Sequence, residues 1–106
     1  MSFSLRQLRY FVATAELGQI SHAAVNLSIS QSAVTTAIKD LELSLGVSLF
    51  DRTHQGMELT AAGRQFLSHA YEILAKVDEA THLSFVGADV EGELTVAATY
   101  TVMGYF

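Results

Sequence analysis

The stretch SHAAVNLSISQSAVTTAIKDLELSLG, residues 21–46, decides the fold. Ser21 reads as the N-cap of a short helix, His22 to Leu27, in which Ala23 and Ala24 are small enough to let a second helix cross closely. After Ser28 and Ile29, Ser30 reads as another cap, opening a helix from Gln31 to about Leu45 that Gly46 stops. Two helices joined by so short a turn make a helix-turn-helix. In the second helix Val34, Ile38, Leu41 and Leu45 step by helical intervals and form the stripe that a core would cover. The opposite face carries Gln31, Thr35 and Lys39, one turn apart, with Ser32 and Thr36 beside them. Amides, hydroxyls and an ammonium are the groups that pair with base edges and phosphates. An ordinary solvated helix face has the same composition, so the surrounding elements must discriminate.

Upstream, Ser4 caps a helix whose apolar positions Leu5, Leu8, Phe11, Val12 and Ala15 follow helical spacing, and Gly18 ends it. Downstream, Val47, Leu49 and Phe50 read as a short strand, residues 51–56 as a polar turn, and Met57 with Leu59 as a returning strand, together a small wing. Thr60 caps the next helix, which is predicted from Ala61 to about Phe85 without a proline. Its positions Phe66, Ala70, Ile73, Val77 and Ala80 form an apolar seam suited to another helix, expected to be that of a second copy. Residues 87–92 read as an acidic, glycine-bounded linker, and residues 94–98 as a strand that begins a further domain. The predicted class is therefore mainly α: a winged helix-turn-helix of three helices and a two-stranded wing, then a long dimerisation helix. Its parts are a winged helix-turn-helix head at 1–60, a linker helix at 61–86, and at 87–106 a hinge with the first strand of a further domain.

The chain has 106 residues and a net charge of −5, which speaks against DNA binding if the charge is spread evenly. It is not spread evenly. Arg6, Arg9, Lys39, Arg52 and Arg64 balance Glu16, Asp40, Glu42, Asp51 and Glu58 up to residue 66, while beyond it Lys76 alone opposes six carboxylates. A neutral head with an acidic tail can dock on DNA through a few placed cations, although it leaves open a winged-helix module that binds protein and not nucleic acid. No apolar run is long enough for a membrane span and no signal peptide is visible, so a cytoplasmic location is expected. Cysteine is absent, and His22, His54, His69 and His82 never fall three or four residues apart, so neither a metal nor another cofactor is expected. No catalytic motif of the nucleophile-elbow, zinc-hydrolase or phosphate-loop kind occurs, which disfavours an enzyme.

The order of these markers resembles the N-terminal part of LysR-type transcriptional regulators along nearly the whole chain. Leu5 to Phe11, Ser21 to Leu27, Ser30 to Thr35, Leu41-Glu42, Leu45-Gly46, Leu49-Phe50 with Arg52, and Leu59-Thr60 with Ala62-Gly63 recur in the family's register. The resemblance implies a recognition helix in the major groove, a wing near the adjacent minor groove, and linker helices paired in a dimer, with tetramers common among full-length members. It also implies a separate domain for a small-molecule effector, with Thr99 and Thr101 as the residues here that would face it. Two departures matter. Ser32 stands where the family usually has proline, and Thr35-Thr36 where it usually has Ser-Arg, which removes a bidentate partner for guanine or phosphate. DNA contact is accordingly expected from Ser30, Gln31, Ser32, Thr35, Thr36 and Lys39, supported by His22, Arg9, Arg52 and His54. For Arg52 two readings stand: a phosphate contact, or an ion pair with Asp51 or Glu58. Arg6 and Arg9 carry the same ambiguity, and His22 and His54 are either groove contacts or plain solvated side chains. Leu43 falls near the outer face of the recognition helix, where the family more often has a charge.

Overall fold

The computed structural model describes residues 2–82. Within them the order is α1 (Leu5–Leu17), α2 (Ile20–Leu27), α3 (Gln31–Leu45), β1 (Phe50–Thr53), β2 (Gly56–Leu59) and α4 (Ala61–Thr81). Local side-chain chemistry sets most of the boundaries. At α1 the Ser4 hydroxyl accepts from the Gln7 amide at 3.1 Å while the Gln7 side chain accepts from the Ser4 amide at 2.9 Å, a reciprocal capping box. Ser30 caps α3 by accepting from the Ala33 amide, and Gly46 ends it at φ 73°, a left-handed conformation that costs glycine little. The start of α2 differs from expectation. Gln19 is its N-cap, without a side-chain bond, and Ser21 lies inside the first turn, its hydroxyl directed back to the Gln19 side chain. Gly18 turns the chain by itself, so the helix can begin at Ile20, which packs against the core.

That core is built where α1, α2 and α3 cross, from Leu8, Phe11, Ala23, Ala24, Val34, Ile38 and Leu41, joined by Leu49 and Phe50 from the chain that follows. Each large apolar side chain removed from water there contributes about 1.5–3 kcal/mol. Thr14 is buried among them, and its hydroxyl is satisfied by donating to the Tyr10 carbonyl at 2.9 Å.

β1 and β2 pair antiparallel in the register Phe50 with Leu59, Asp51 with Glu58, Arg52 with Met57 and Thr53 with Gly56, so His54 and Gln55 form the tip. The wing thus begins later than predicted. Val47 and Leu49 precede the strand, and Leu49 is buried with its amide donated to the Glu42 carboxylate instead of to a ladder partner. The wing is also pinned at its far side, where the Met57 amide donates to the Gly18 carbonyl at 2.8 Å. A side chain at Gly56, which has φ 127°, would strike that carbonyl, so glycine is required there twice over.

Thr60 closes the head. Its hydroxyl accepts from the Gly63 amide, capping α4, and donates to the Ser48 carbonyl at 2.7 Å. The twenty-one residues of α4 extend about 31 Å; the last predicted turn, residues 83–85, lies outside the described residues, as do the predicted linker and strand and Thr99 and Thr101. The apolar seam of α4 is divided differently from the prediction. Phe66 packs on Phe3 and Phe11 of its own chain, with ring centroids 5.8 and 5.4 Å apart, and Ala70 is fully buried. These two belong to the head's own core. Hydrophobic period alone does not say which surface covers a stripe, and here α1 takes its first half. Among the described residues no helix is long and apolar enough to cross a membrane.

Candidate nucleic-acid interface

Burial of Val34, Ile38 and Leu41 fixes the rotation of α3 and therefore what it presents outward. At 100° per residue the direction opposite this stripe is held by Ser32, Thr36, Lys39 and Leu43, all exposed. Gln31, also exposed, and Thr35, half-buried, lie on the flank turned toward the wing. The outer ridge is thus two hydroxyls and one isobutyl group, with the Lys39 ammonium on one edge and the Asp40 carboxylate on the other, and Leu43 is 79% exposed. Ser30 sits at its foot, with its hydroxyl 3.1 Å from that of Ser32.

Two clefts border the ridge near its start, and a third, lined by Lys39, Glu42 and Leu43 with residues 46–48, borders its far end. On one side the wing residues Arg52, Thr53 and His54 face Gln31, Gln19 and Ser21. Arg52 occupies this position because side chains alternate along a strand: it shares a face with Phe50, which is anchored in the core, whereas Asp51 lies on the other face, directly opposite Glu58. Arg52 makes no ion pair with either carboxylate, and geometry explains why. On the other side Arg6 and Tyr10 of α1, with its cap residue Ser4, face Ser32, Thr36 and Asp40 of α3. Arg9 is not brought there; it lies two turns before Glu16, on the face of α1 that α4 borders through the 2.6 Å hydrogen bond from the Tyr71 hydroxyl to the Glu16 carboxylate. That carboxylate raises the pKa of Tyr71, first by accepting its proton in a hydrogen bond, then with help from burial and charge repulsion. His22 is exposed on α2.

Among the described residues the contacts between basic and acidic side chains all lie along α4 and its C-cap: Lys76 with Glu79 as an ion pair, and the imidazoles of His69 beside Glu72 and His82 beside Asp78. All four arginines and Lys39 are exposed and outside these contacts; of them Arg6, Lys39 and Arg52 are the ones set around the polar ridge, with Asp40 lining the same cleft as Arg6.

One residue that sequence reasoning noted only as a family marker turns out to join these parts. The Glu42 Oε2 accepts from the Leu49 amide at 2.7 Å and from the Phe50 amide at 3.3 Å, tying α3 to the first strand of the wing. No local signal marks it, because its partners are seven and eight residues away and lie in a segment that reads as a strand.

Farther along α4, Ile73, Val77 and Ala80 line a shallow apolar groove flanked by Glu72, Lys76 and Glu79. Among the described residues only α4 lines this groove, although Ile73 at its near end also packs against the margin of the head's core.

Comparison with known proteins agrees with this geometry. The model of the bacterial regulatory helix-turn-helix proteins of the lysR family matches residues 5–64. The HTH-type transcriptional regulator ClcR of Pseudomonas putida is 50% identical over 99 residues, which are 92% of this chain and 34% of ClcR. TfdT of Cupriavidus pinatubonensis is 47% identical over 91 residues, 85% of this chain and 40% of that protein. The chain therefore spans between a third and two fifths of the length of these relatives. Among solved structures, the complex of the CbnR DNA-binding domain with DNA superposes with a TM-score of 0.72 at 44% identity, covering 74% of this chain and 91% of that one. The complex of the BenM DNA-binding domain with benA site 1 DNA gives 0.72 at 35% identity, covering 74% and 92%. The four helices, the two-stranded wing and the matched segment carry one conclusion: this chain belongs to the LysR family of bacterial helix-turn-helix regulators.

Proposed function

We propose that the chain is the DNA-reading part of a transcription regulator, with residues 1–60 as the reading head and residues 61–86 as the helix that pairs it with a second copy. The observation that carries this reading is the polar ridge of α3 flanked by Arg6, Lys39 and Arg52, three exposed cations free of ion pairs among the described residues. In a major groove, Gln31, Ser32, Thr35 and Thr36 meet base edges while Ser30 and Lys39 meet bases or phosphate. Arg52 and His54 follow the backbone on the wing side, and Arg6 follows the opposite strand. His22 and Arg9 line none of the clefts beside the ridge; Arg9 contributes through the field of the head, and His22 through its exposed ring on α2. Lys39 takes over the electrostatic part of the missing arginine without its bidentate geometry, so preference at that base step rests on hydroxyls.

Pairing through Ile73, Val77 and Ala80 covers the apolar groove of α4 and doubles the cations. A two-fold pair of heads then reads an inverted repeat with half-sites about one helical turn apart. Acting on DNA places the protein in the cytoplasm, and control by a small molecule, with Thr99 and Thr101 at its site, belongs to the chain beyond the head.

Titration of a labelled duplex across salt concentrations tests the electrostatic part. Six cations in a dimer give a slope of log K against log salt of about −5. A slope near zero, or no duplex binding at any ionic strength, would favour a protein-binding module instead.

A further inference from the structure

The Glu42 carboxylate is the one half-buried anion of the head, and its hydrogen bonds go to the backbone. One oxygen accepts from two successive amides, Leu49 at 2.7 Å and Phe50 at 3.3 Å, at the point where the chain leaves the core and becomes β1. Two residues later on the same strand face comes Arg52. Glu42 itself follows Lys39 by three residues on α3, so a single rigid linkage runs from the outer ridge to the wing cation. The other attachments of the wing hold different parts of it. Met57 is bonded to Gly18 of the α1–α2 turn, and Thr60 to Ser48. Among the described residues, Glu42 supplies the hydrogen bonds that join α3 directly to the wing.

We infer that Glu42 is a positioning residue for DNA binding: it touches no nucleic acid, but fixes the wing so that Arg52 meets the phosphate backbone while the ridge of α3 lies in the groove. This rests on the DNA-reading function proposed above. The physical reason is that a charge-assisted bond to two amides is strong and directional, and it fixes the entry of β1 against α3, whereas the Met57–Gly18 bond holds β2 against the α1–α2 turn. Loss of the carboxylate also leaves two amides at the head's edge without their partner. A glutamine in its place retains one carbonyl oxygen that can accept from both amides, so the linkage needs the acceptor and its reach more than the charge.

The test is a double-mutant cycle on the 106-residue chain with a duplex recovered by the wild-type protein from a random pool. Arg52→Ala is expected to weaken binding about tenfold or more, the worth of a hydrogen bond to a charged group. It should also flatten the salt slope by about 2, one phosphate contact from each protomer. Glu42→Ala should reproduce both effects, the double variant should bind within about twofold of Arg52→Ala, and Glu42→Gln should restore binding to within about twofold of wild type. A merely structural role would lower affinity without changing the salt slope, and its effect would add to that of Arg52→Ala. Independent, multiplying losses, or a Glu42→Ala protein that binds like wild type, overturn the inference while leaving DNA binding intact. If the wild-type chain recovers no duplex at all, the underlying DNA-reading function falls first, and the inference with it. Thermal unfolding checks that each variant is folded; should Glu42→Ala fail, Glu42→Asp, which withdraws the carboxylate by one methylene, takes its place in the same cycle.

Discussion

Replacing Phe66 by alanine separates the two halves of α4. The ring is half-buried and meets Phe3 edge-on at 5.8 Å and Phe11 at a tilt at 5.4 Å, so it fastens the long helix to α1. Full burial of a phenylalanine is worth about 3–5 kcal/mol on truncation, and a half-buried one that keeps two aromatic partners about 2–3 kcal/mol. For a domain of this size that is a fall in melting temperature of about 10–20 °C. The assay is thermal unfolding followed by circular dichroism at several protein concentrations, with sedimentation equilibrium alongside. The expected result is a large drop in stability at every concentration, with the self-association constant of the folded protein changed less than about threefold, because Phe66 is covered by its own chain. A variant that unfolds like wild type but no longer pairs would refute the assignment of Phe66 to the head and restore it to the seam between copies.

Val77→Glu should do the reverse, weakening self-association about tenfold or more by burying an unpaired carboxylate while the head unfolds as before; sedimentation showing an intact dimer would place the seam elsewhere. Gly63→Ala should cost about 1–3 kcal/mol in denaturant unfolding, since a Cβ there would overlap the Leu49 carbonyl oxygen and the backbone would have to part; an unchanged midpoint would mean that α4 and the segment before β1 are not in contact. Tyr71 gives a pH dependence of known sign. Its pKa is raised by the Glu16 hydrogen bond, so the protonated hydroxyl is favoured on folding; the contribution is complete below the usual tyrosine range and is lost as pH rises through the raised value. Wild-type protein should therefore lose more stability than Tyr71→Phe between about pH 8 and pH 11, and equal losses would show that the bond contributes nothing. Lys39→Ala should weaken all duplexes evenly and flatten the salt slope by about 2, whereas Gln31→Ala should relax preference at one base position per half-site.

The parts that could be read from residue order are those fixed by neighbours in the chain. Ser4, Ser30 and Thr60 announce their helices because a cap bonds to an amide three residues away, and Gly18 and Gly46 announce ends because a left-handed residue is needed there. The stripe of Val34, Ile38 and Leu41 gave the orientation of α3 for the same reason, since helical period is a local property. Where partners are distant, the residues are silent. Ser21 has the composition of a cap but follows a glycine turn that has already started the helix at Ile20. Val47 and Leu49 have strand composition, yet the amide of Leu49 is claimed by Glu42 and cannot enter a ladder. Arg52 looked as ready to pair with Asp51 or Glu58 as with a phosphate until the register put it on the opposite face from both. Arg6, and not Arg9, borders the recognition helix because of how α1 is rotated by Leu8 and Phe11, which no charge count reveals. Leu43 was visible as an apolar residue out of place, and the structure leaves it 79% exposed at the end of the ridge with no cover from the head.

The most direct test of the DNA-reading function is selection of bound duplexes from a random pool by the wild-type chain. Two heads joined through α4, each presenting Gln31, Ser32, Thr35, Thr36 and Lys39, should enrich an interrupted inverted repeat with half-site centres about 10 base pairs apart, or a multiple of that. Recovery of duplexes that share no repeat would contradict the symmetric pair of recognition helices, and recovery of none would contradict DNA binding itself.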